Sequence, residues 1–150
     1  MNVDSICNRN VVIADQSTDA LTAARLMHEN HVGTIIIVDD ISNTKRPIGI
    51  ISDRDLVIEV LAKDVSPAQV TLKDAMNQDL ICVRDDDDML ETVKIMCLEG
   101  IRRVPVVNEQ GQLTGILTMD NLFEILANEL SNLALLMSRE KQTKRQFSFS

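Results

Sequence analysis

The chain has 150 residues, 45% hydrophobic and 25% charged, which suits one compact domain or two intimate half-domains with a core that needs no disulfide staples. A formal net charge of −8 and an aromatic content of 2% argue against a duplex-binding surface and against stacking platforms for single-stranded nucleic acid, so nucleic acid is not expected as the main partner. The longest apolar run, Gly33–Val38, is far too short to span a bilayer, and Asp4 and Arg9 interrupt any charged-then-apolar leader, so the expectation is a cytoplasmic protein with no membrane partner.

In chain order, Val11–Ile13 reads as a short apolar strand. Ser17 or Thr18 can cap a helix, because either hydroxyl oxygen accepts from an orphan amide one turn on, and Leu21, Ala24 and Met27 then recur at helical spacing. Thr34–Val38 is a continuous β-branched run, the mark of a strand covered on both faces. Asp39–Lys45 is a polar turn, Ile48–Ser52 the next strand, and Asp53 to about Ala62 a helix that turns Leu56, Val60 and Leu61 inward. Residues 64–74, with Ser66-Pro67, form a polar linker. Beyond it Leu80–Val83 is a strand, and the acidic run Asp85–Asp88 opens a helix through Leu90, Val93 and Met96. Val104–Val107 and Leu113–Thr118 are strands around the turn at residues 108–111, and a helix runs from about Asp120 to about Met137. Residues 138–150 carry Arg139, Lys141, Lys144 and Arg145 against Glu140 and read as a flexible basic tail.

Little in the chain resembles a metal or catalytic constellation. Cys7, Cys82 and Cys97 are odd in number and widely spaced, which suits small buried hydrophobes better than disulfides or thiolate ligands. His28 and His31 have no thiol pair near them, and Asp85–Asp88 lacks the spacing of a calcium loop, so no metal is expected. Asp53 and Asp55 form a pair of carboxylates, but no Ser–His or Cys–His arrangement accompanies them; no catalytic residue and no cofactor is assigned, and the chain is not expected to be an enzyme.

The order of elements occurs twice. Placing Ile13–Asp39 over Cys82–Asn108 sets Leu21 on Leu90, Met27 on Met96, Val32 on Ile101, and Ile35–Val38 on Val104–Val107. After a short insertion in the first copy, Gly49-Ile50-Ile51-Ser52 falls on Gly115-Ile116-Leu117-Thr118 and Leu56 on Leu122. Chance matching of apolar residues does not place glycines, hydroxyls and apolar runs in the same order twice. The copies divide the chain into a first repeat at 1–63, a linker at 64–74, a second repeat at 75–137 and the tail.

The duplicated arrangement resembles a tandem pair of cystathionine β-synthase (CBS) domains, the Bateman module, over about residues 6–130. The residues that carry the resemblance are Gly49-Ile50-Ile51-Ser52-Asp53-Arg54-Asp55-Leu56, its counterpart Gly115-Ile116-Leu117-Thr118-Met119-Asp120-Asn121-Leu122, and Gly100-Ile101-Arg102-Arg103-Val104-Pro105-Val106-Val107. The resemblance implies an α/β fold of two intertwined β-α-β-β-α units related by a pseudo-twofold axis. It also implies two clefts between the units that bind adenosine-containing molecules, in a regulatory sensor rather than a catalyst.

Physical chemistry points to the same places. A strand ending in glycine, two apolar residues and a hydroxyl, then a helix, sets free helical amides at the strand's carboxyl end, where an anion is favoured. Ser52 offers its hydroxyl there, and Asp55 can accept both hydroxyls of a ribose, the role the resemblance gives to this acid; each residue also suits plain helix capping. Arg102 and Arg103 are guanidinium forks suited to phosphate in an acidic protein, and pairing with Asp85–Asp88 or Glu99 is their bland alternative. The resemblance then implies a first cleft of Ser52, Asp53, Asp55, Cys82, Val83, Ile101, Arg102 and Arg103. It implies a second of Thr118, Asp120, Asn121, Ile13, Ala14, Val32, Gly33 and Thr34, expected to be the weaker because Asn121 replaces the acid.

The expectation is a stand-alone sensor of AMP, ADP or ATP, with NAD and S-adenosylmethionine as further candidates, acting as a homodimer on a regulated partner protein. Leu126, Leu130, Leu133 and Leu136 on the last helix offer a surface for that self-association, and the alternative is an interaction and dimerisation subunit with vestigial clefts whose dimer surface or basic tail recruits a partner.

Overall fold

The computed structural model describes residues 1–76 and 79–148, with side chains described to residue 142. The duplication is visible as two three-stranded sheets of one topology. In the first, β1 (Ile13–Ala14) runs parallel to β2 (Thr34–Val38), which pairs antiparallel with β3 (Pro47–Ser52). In the second, β4 (Val83–Arg84), β5 (Arg103–Val107) and β6 (Leu113–Thr118) repeat that order. Each antiparallel pair carries a register shift at the same place, between Ile37 and Val38 and between Val106 and Val107. The helices are α1 (Ala20–Asn30), α2 (Asp53–Leu56) continuing as a π-helical turn at Val57–Leu61, α3 (Leu72–Ala75), α4 (Met89–Glu99) and α5 (Met119–Ser148). The mixed α/β architecture of two like units is the one the sequence implies.

Burial explains the strands. Ile35, Ile36, Ile37 and Val38 are fully buried because the two faces of β2 serve two cores. Ile35 and Ile37 face the core of the first unit with Ala23, Met27, Ile51 and Leu72. Ile36 and Val38 face Ile116, with Val11, Ile13, Ile50 and Leu113 around them, so this cluster joins the two sheets.

Several local expectations are corrected. The cap of α1 is Asp19, whose carboxylate accepts from the Thr22 amide, while the hydroxyls of Ser17 and Thr18 both donate to Asp15 Oδ1. A charged acceptor makes the stronger cap and leaves the hydroxyls to a carboxylate of their own. The buried face of α1 is Ala20, Ala23 and Met27; Leu21 is half-buried and Ala24 exposed. Helix α4, capped by Asp88, likewise buries Thr92 and Met96 and leaves Leu90 63% exposed. In both helices a small residue and a methionine one turn on make the buried face, Ala23 with Met27 and Thr92 with Met96, and Leu21 and Leu90 lie toward its edge. The short first strands begin later than the apolar pattern suggests, at Ile13 and Val83. Helix α5 continues past Met137 to Ser148 in one 30-residue span, where a flexible tail was expected from residue 138; residues 149–150 lie outside the described residues.

The two units are interleaved along the chain. Val3 is fully buried in the second core with Val83, Met96, Val104 and Leu117, and Asn8 exchanges two backbone hydrogen bonds with Ile116 of β6. Reciprocally, the stretch expected to be a polar linker places Leu72 and Ala75 in the first core, with the Leu72 amide donating to the Thr18 carbonyl. The two motif glycines are where these segments cross: a Cβ on Gly49 would overlap Met76 Sδ, and one on Gly115 would lie 2.8 Å from Cys7 Sγ and 2.9 Å from the Asn8 carbonyl oxygen.

Candidate functional site

Each motif ends a strand and caps the next helix with its own side chains. The Ser52 amide donates to Asp55 Oδ2 at 2.8 Å, and the Asp55 amide donates to Ser52 Oγ at 3.2 Å, a capping box. The Asp55 carboxylate keeps its other oxygen outside these bonds. In the second copy both the amide and the hydroxyl of Thr118 donate to Asn121 Oδ1, at 3.0 and 2.9 Å, and the Asn121 amide donates to Thr118 Oγ1. Two donors fix the orientation of the Asn121 side chain: its oxygen is spent on the cap and its NH2 group is what remains for a ligand. The sequence reading expected Asn121 to offer an acceptor; the cap leaves a donor.

The structure forms a cleft of about 200 Å³ between the units, lined by Val32, Gly33 and Thr34 from the start of β2, Arg103 at the start of β5, Ile116 and Thr118 of β6, Asp120 of α5, and Asn8, Asn10, Val11 and Val12 from the N-terminal segment. It shares Asn8, Asn10, Val11, Val12 and Val32 with a neighbouring hollow of about 510 Å³ that reaches Asn30. Together they have the scale of a small-molecule site. Two features of its wall bear on a ligand. Thr34 Oγ1 is buried without a hydrogen-bond partner among the described residues. Arg103 is exposed and takes part in none of the four ion pairs found among the described residues, which hold Arg9, Lys63, Arg84 and Lys94. The pairing of Arg103 with surface acids, weighed as its alternative role, is therefore absent from those contacts.

Five of the residues expected in the second cleft, Thr118, Asp120, Val32, Gly33 and Thr34, line this one, and Asn121 is tied to Thr118. Ile13 and Ala14 do not line it; Ala14 is in the first core, Ile13 packs against the cluster between the sheets, and Val11 and Val12 take their place. Arg103, expected in the first cleft, lines this one.

Of the residues expected in the first cleft, Ser52 and Asp55 are joined by the capping box. The Asp53 amide donates to the Gly33 carbonyl, and its carboxylate packs so close to Gly33 that an added Cβ there would lie 3.0 Å from Asp53 Oδ2. Val83 is buried in the second core, and Ile101 lines an apolar hollow with Val93, Met96 and Met119. Cys82 is exposed, with its thiol pushed above its ordinary value by the partial loss of water around the sulfur. Arg102 is exposed and its carbonyl accepts from the Met119 amide.

Sequence reasoning missed Asn8, Asn10, Val11, Val12 and Ile116. The available signal was the apolar pair Val11-Val12 following polar residues at the start of the first expected strand, but nothing local says that this segment crosses to the other unit. Among the described residues no group of three or more His, Cys, Asp or Glu side chains could hold a metal ion, and no helix is long and apolar enough to cross a membrane.

Comparison with known proteins bears on this geometry. The family profile of the CBS domain matches residues 3–62 and again 72–128. An uncharacterized protein of Methanopyrus kandleri is 36% identical over 125 residues, which are 83% of this chain and 62% of that protein, so the chain spans less than two thirds of this relative's length. A CBS domain protein from Pyrobaculum aerophilum, solved in complex with AMP, is 25% identical with a TM-score of 0.72, covering 81% of this chain and 90% of that one. The CBS domain pair of a second protein, solved with 5′-methylthioadenosine and S-adenosyl-L-methionine, has a TM-score of 0.74 at 21% identity, covering 86% and 98% of the two chains.

Proposed function

The chain belongs to the CBS-domain family as a tandem pair, and from that premise we propose that it is a cytoplasmic, homodimeric regulatory module that binds an adenosine phosphate between its two repeats. The observation that carries this reading is the wall of the cleft at Thr118. Arg103 stands there outside the described ion pairs of a protein with a net charge of −8, beside a buried hydroxyl of Thr34 that lacks a partner and the start of α5. A phosphate suits the guanidinium fork and the positive end of the α5 dipole, where the Met119 and Asn121 amides are already taken by the Arg102 carbonyl and Thr118 Oγ1. The AMP complex of the Pyrobaculum relative supports the nucleotide class. At the other motif, the spare carboxylate oxygen of Asp55 suits a ribose hydroxyl, with Asp53, Arg102 and Cys82 as its candidate neighbours. The N-terminal segment, the start of β2, and β6 with α5 all contribute to one cleft, so occupancy couples parts of both repeats, which is what a sensor needs.

A second reading has its own observation. An apolar hollow of about 220 Å³ lies over Leu21, Ala24, Leu56, Val57, Val60 and Leu61, and Leu61 is 74% exposed. Such a surface suits a subunit that regulates a partner protein by contact, with clefts that no longer bind.

Thermal unfolding with AMP, ADP, ATP, NAD, S-adenosylmethionine and adenosine separates the two. A ligand at 100 times its dissociation constant adds about 2.7 kcal/mol of stability. Arg103→Ala is expected to weaken AMP by about 1.5–3 kcal/mol and adenosine much less, the loss of a charge-assisted contact. No shift with any of these ligands at millimolar concentration overturns the nucleotide reading in favour of the contact subunit; equal weakening of AMP and adenosine removes the phosphate role of Arg103.

A further inference from the structure

Helix α5 leaves the body of the protein. Leu122 and Ile125 are half-buried against it, but every residue from Leu126 to Gln142 is exposed. An exposed helical arm of this length draws little stability from propensity alone, since most helices are held by burying an apolar face. The arm has such a face. Phe123, Leu126, Leu130, Leu133 and Met137 are 58, 55, 59, 57 and 60% exposed, and they alternate at spacings of three and four residues. That is the a/d seam of a coiled coil, a stripe about 20 Å long at 1.5 Å per residue.

We propose that this stripe is covered by α5 of a second copy, packed antiparallel to it. This deepens the proposed self-association by assigning its surface and direction, and it rests on that part of the reading only. Charge sets the direction. Asp120, Glu124 and Glu129 make the first half of α5 acidic, and Arg139, Lys141, Lys144 and Arg145 against Glu140 make its second half basic. An antiparallel pair sets each acidic half against a basic half and opposes the helix dipoles; a parallel pair stacks like charge on like along the whole length. An antiparallel pair of identical helices is also isologous, so it closes as a dimer and leaves no second seam. With on the order of 100 Å² withdrawn from water by each seam residue of both copies, the interface reaches roughly 1,000 Å², the lower bound for a specific one.

Sedimentation and crosslinking of the full chain test this. The protein is expected to sediment as a dimer at micromolar concentration, and Leu130→Glu with Leu133→Glu to halve the mass while unfolding remains cooperative. Direction is read with no charge placed in the seam, in a background carrying Cys7→Ala, Cys82→Ser and Cys97→Ser. Leu126→Cys together with Met137→Cys is expected to form an intermolecular disulfide on mild oxidation, and Leu126→Cys alone to form none. A monomeric native chain, a double-glutamate variant that stays dimeric, or efficient crosslinking of Leu126→Cys alone overturns the proposal. Absence of nucleotide binding with the dimer and its crosslink intact counts against the cleft reading and leaves this one standing.

Discussion

Gly115→Ala and Gly49→Ala are the same substitution at equivalent positions, and the structure gives them different costs. Neither glycine is at positive φ, so backbone strain does not enter, and replacing Gly by Ala within a strand returns roughly 0.5–1 kcal/mol of chain entropy. At Gly49 the new methyl runs into Met76 Sδ, the flexible end of a side chain that can turn away. At Gly115 it lies 2.9 Å from the Asn8 carbonyl oxygen and 2.8 Å from Cys7 Sγ. The Asn8 backbone cannot withdraw without loosening its two hydrogen bonds with Ile116, at 2.9 and 2.8 Å. Those bonds are worth about 0.5–1.5 kcal/mol each, and overpacking adds about 1–3 kcal/mol. Net of the entropy gain, Gly115→Ala is expected to cost roughly 2–3 kcal/mol, while Gly49→Ala stays within about 1 kcal/mol of the native protein. For a chain of this size that is a fall in melting temperature of about 5–10 °C for the first and little for the second. Thermal and urea denaturation followed by circular dichroism check it. Equal losses, or the larger loss at Gly49, would refute the claim that the N-terminal segment crosses β6 by backbone contact. Because Asn8 also lines the cleft, Gly115→Ala is expected to weaken nucleotide binding as well.

The spent oxygen of Asn121 has a consequence: Asn121→Asp keeps the cap and adds a free carboxylate oxygen, so adenosine is expected to bind the Thr118 cleft roughly fivefold more tightly by calorimetry, and unchanged or weaker binding argues against a ribose at this helix start. Asp55→Ala is expected to remove most binding at the first motif and to leave AMP binding at the Thr118 cleft nearly intact by calorimetry; equal losses at both would end the reading of two separate sites. Acid stability follows from three carboxylates held below their ordinary range, Asp15 chiefly by the Ser17 hydroxyl, Asp19 chiefly by the Thr22 amide and Asp39 chiefly by the Thr44 hydroxyl. A lowered folded value means stability that is complete above about pH 4, the unfolded carboxylate value, and is lost as the pH falls through the folded one. Asp15→Asn is expected to flatten that acid limb in urea titrations, and a limb identical to the native protein's would show that these hydrogen bonds contribute nothing net.

The duplication, the order of elements in each copy and the two capping motifs were legible in the sequence because each is a local property. Gly49–Asp55 and Gly115–Asn121 contain within seven residues the strand end, the cap and the polar groups that the ligand reading uses, and the structure closes both caps from those residues alone. Periodicity placed the long strands and the buried Met27 and Met96, started the short first strands too early, and took Ala24 and Val93 for the buried Ala23 and Thr92. The choice between Ala24 and Ala23, or Val93 and Thr92, depends on how closely a helix approaches its sheet, and a pattern of apolar residues does not encode that distance. The cleft itself belongs to the tertiary structure. Val11 and Val12 line it where Ile13 and Ala14 were expected, because the first eight residues cross to the second sheet and residues 72–76 cross back to the first, while Arg103 stands beside Thr118 through the pairing of β5 with β6. The orientation of the Asn121 amide was also out of reach of the sequence, since it follows from which donors the folded backbone turns toward it. A chain records its local periods and caps in one dimension, but which segment covers a strand is settled by the competition of distant segments for the same buried surface.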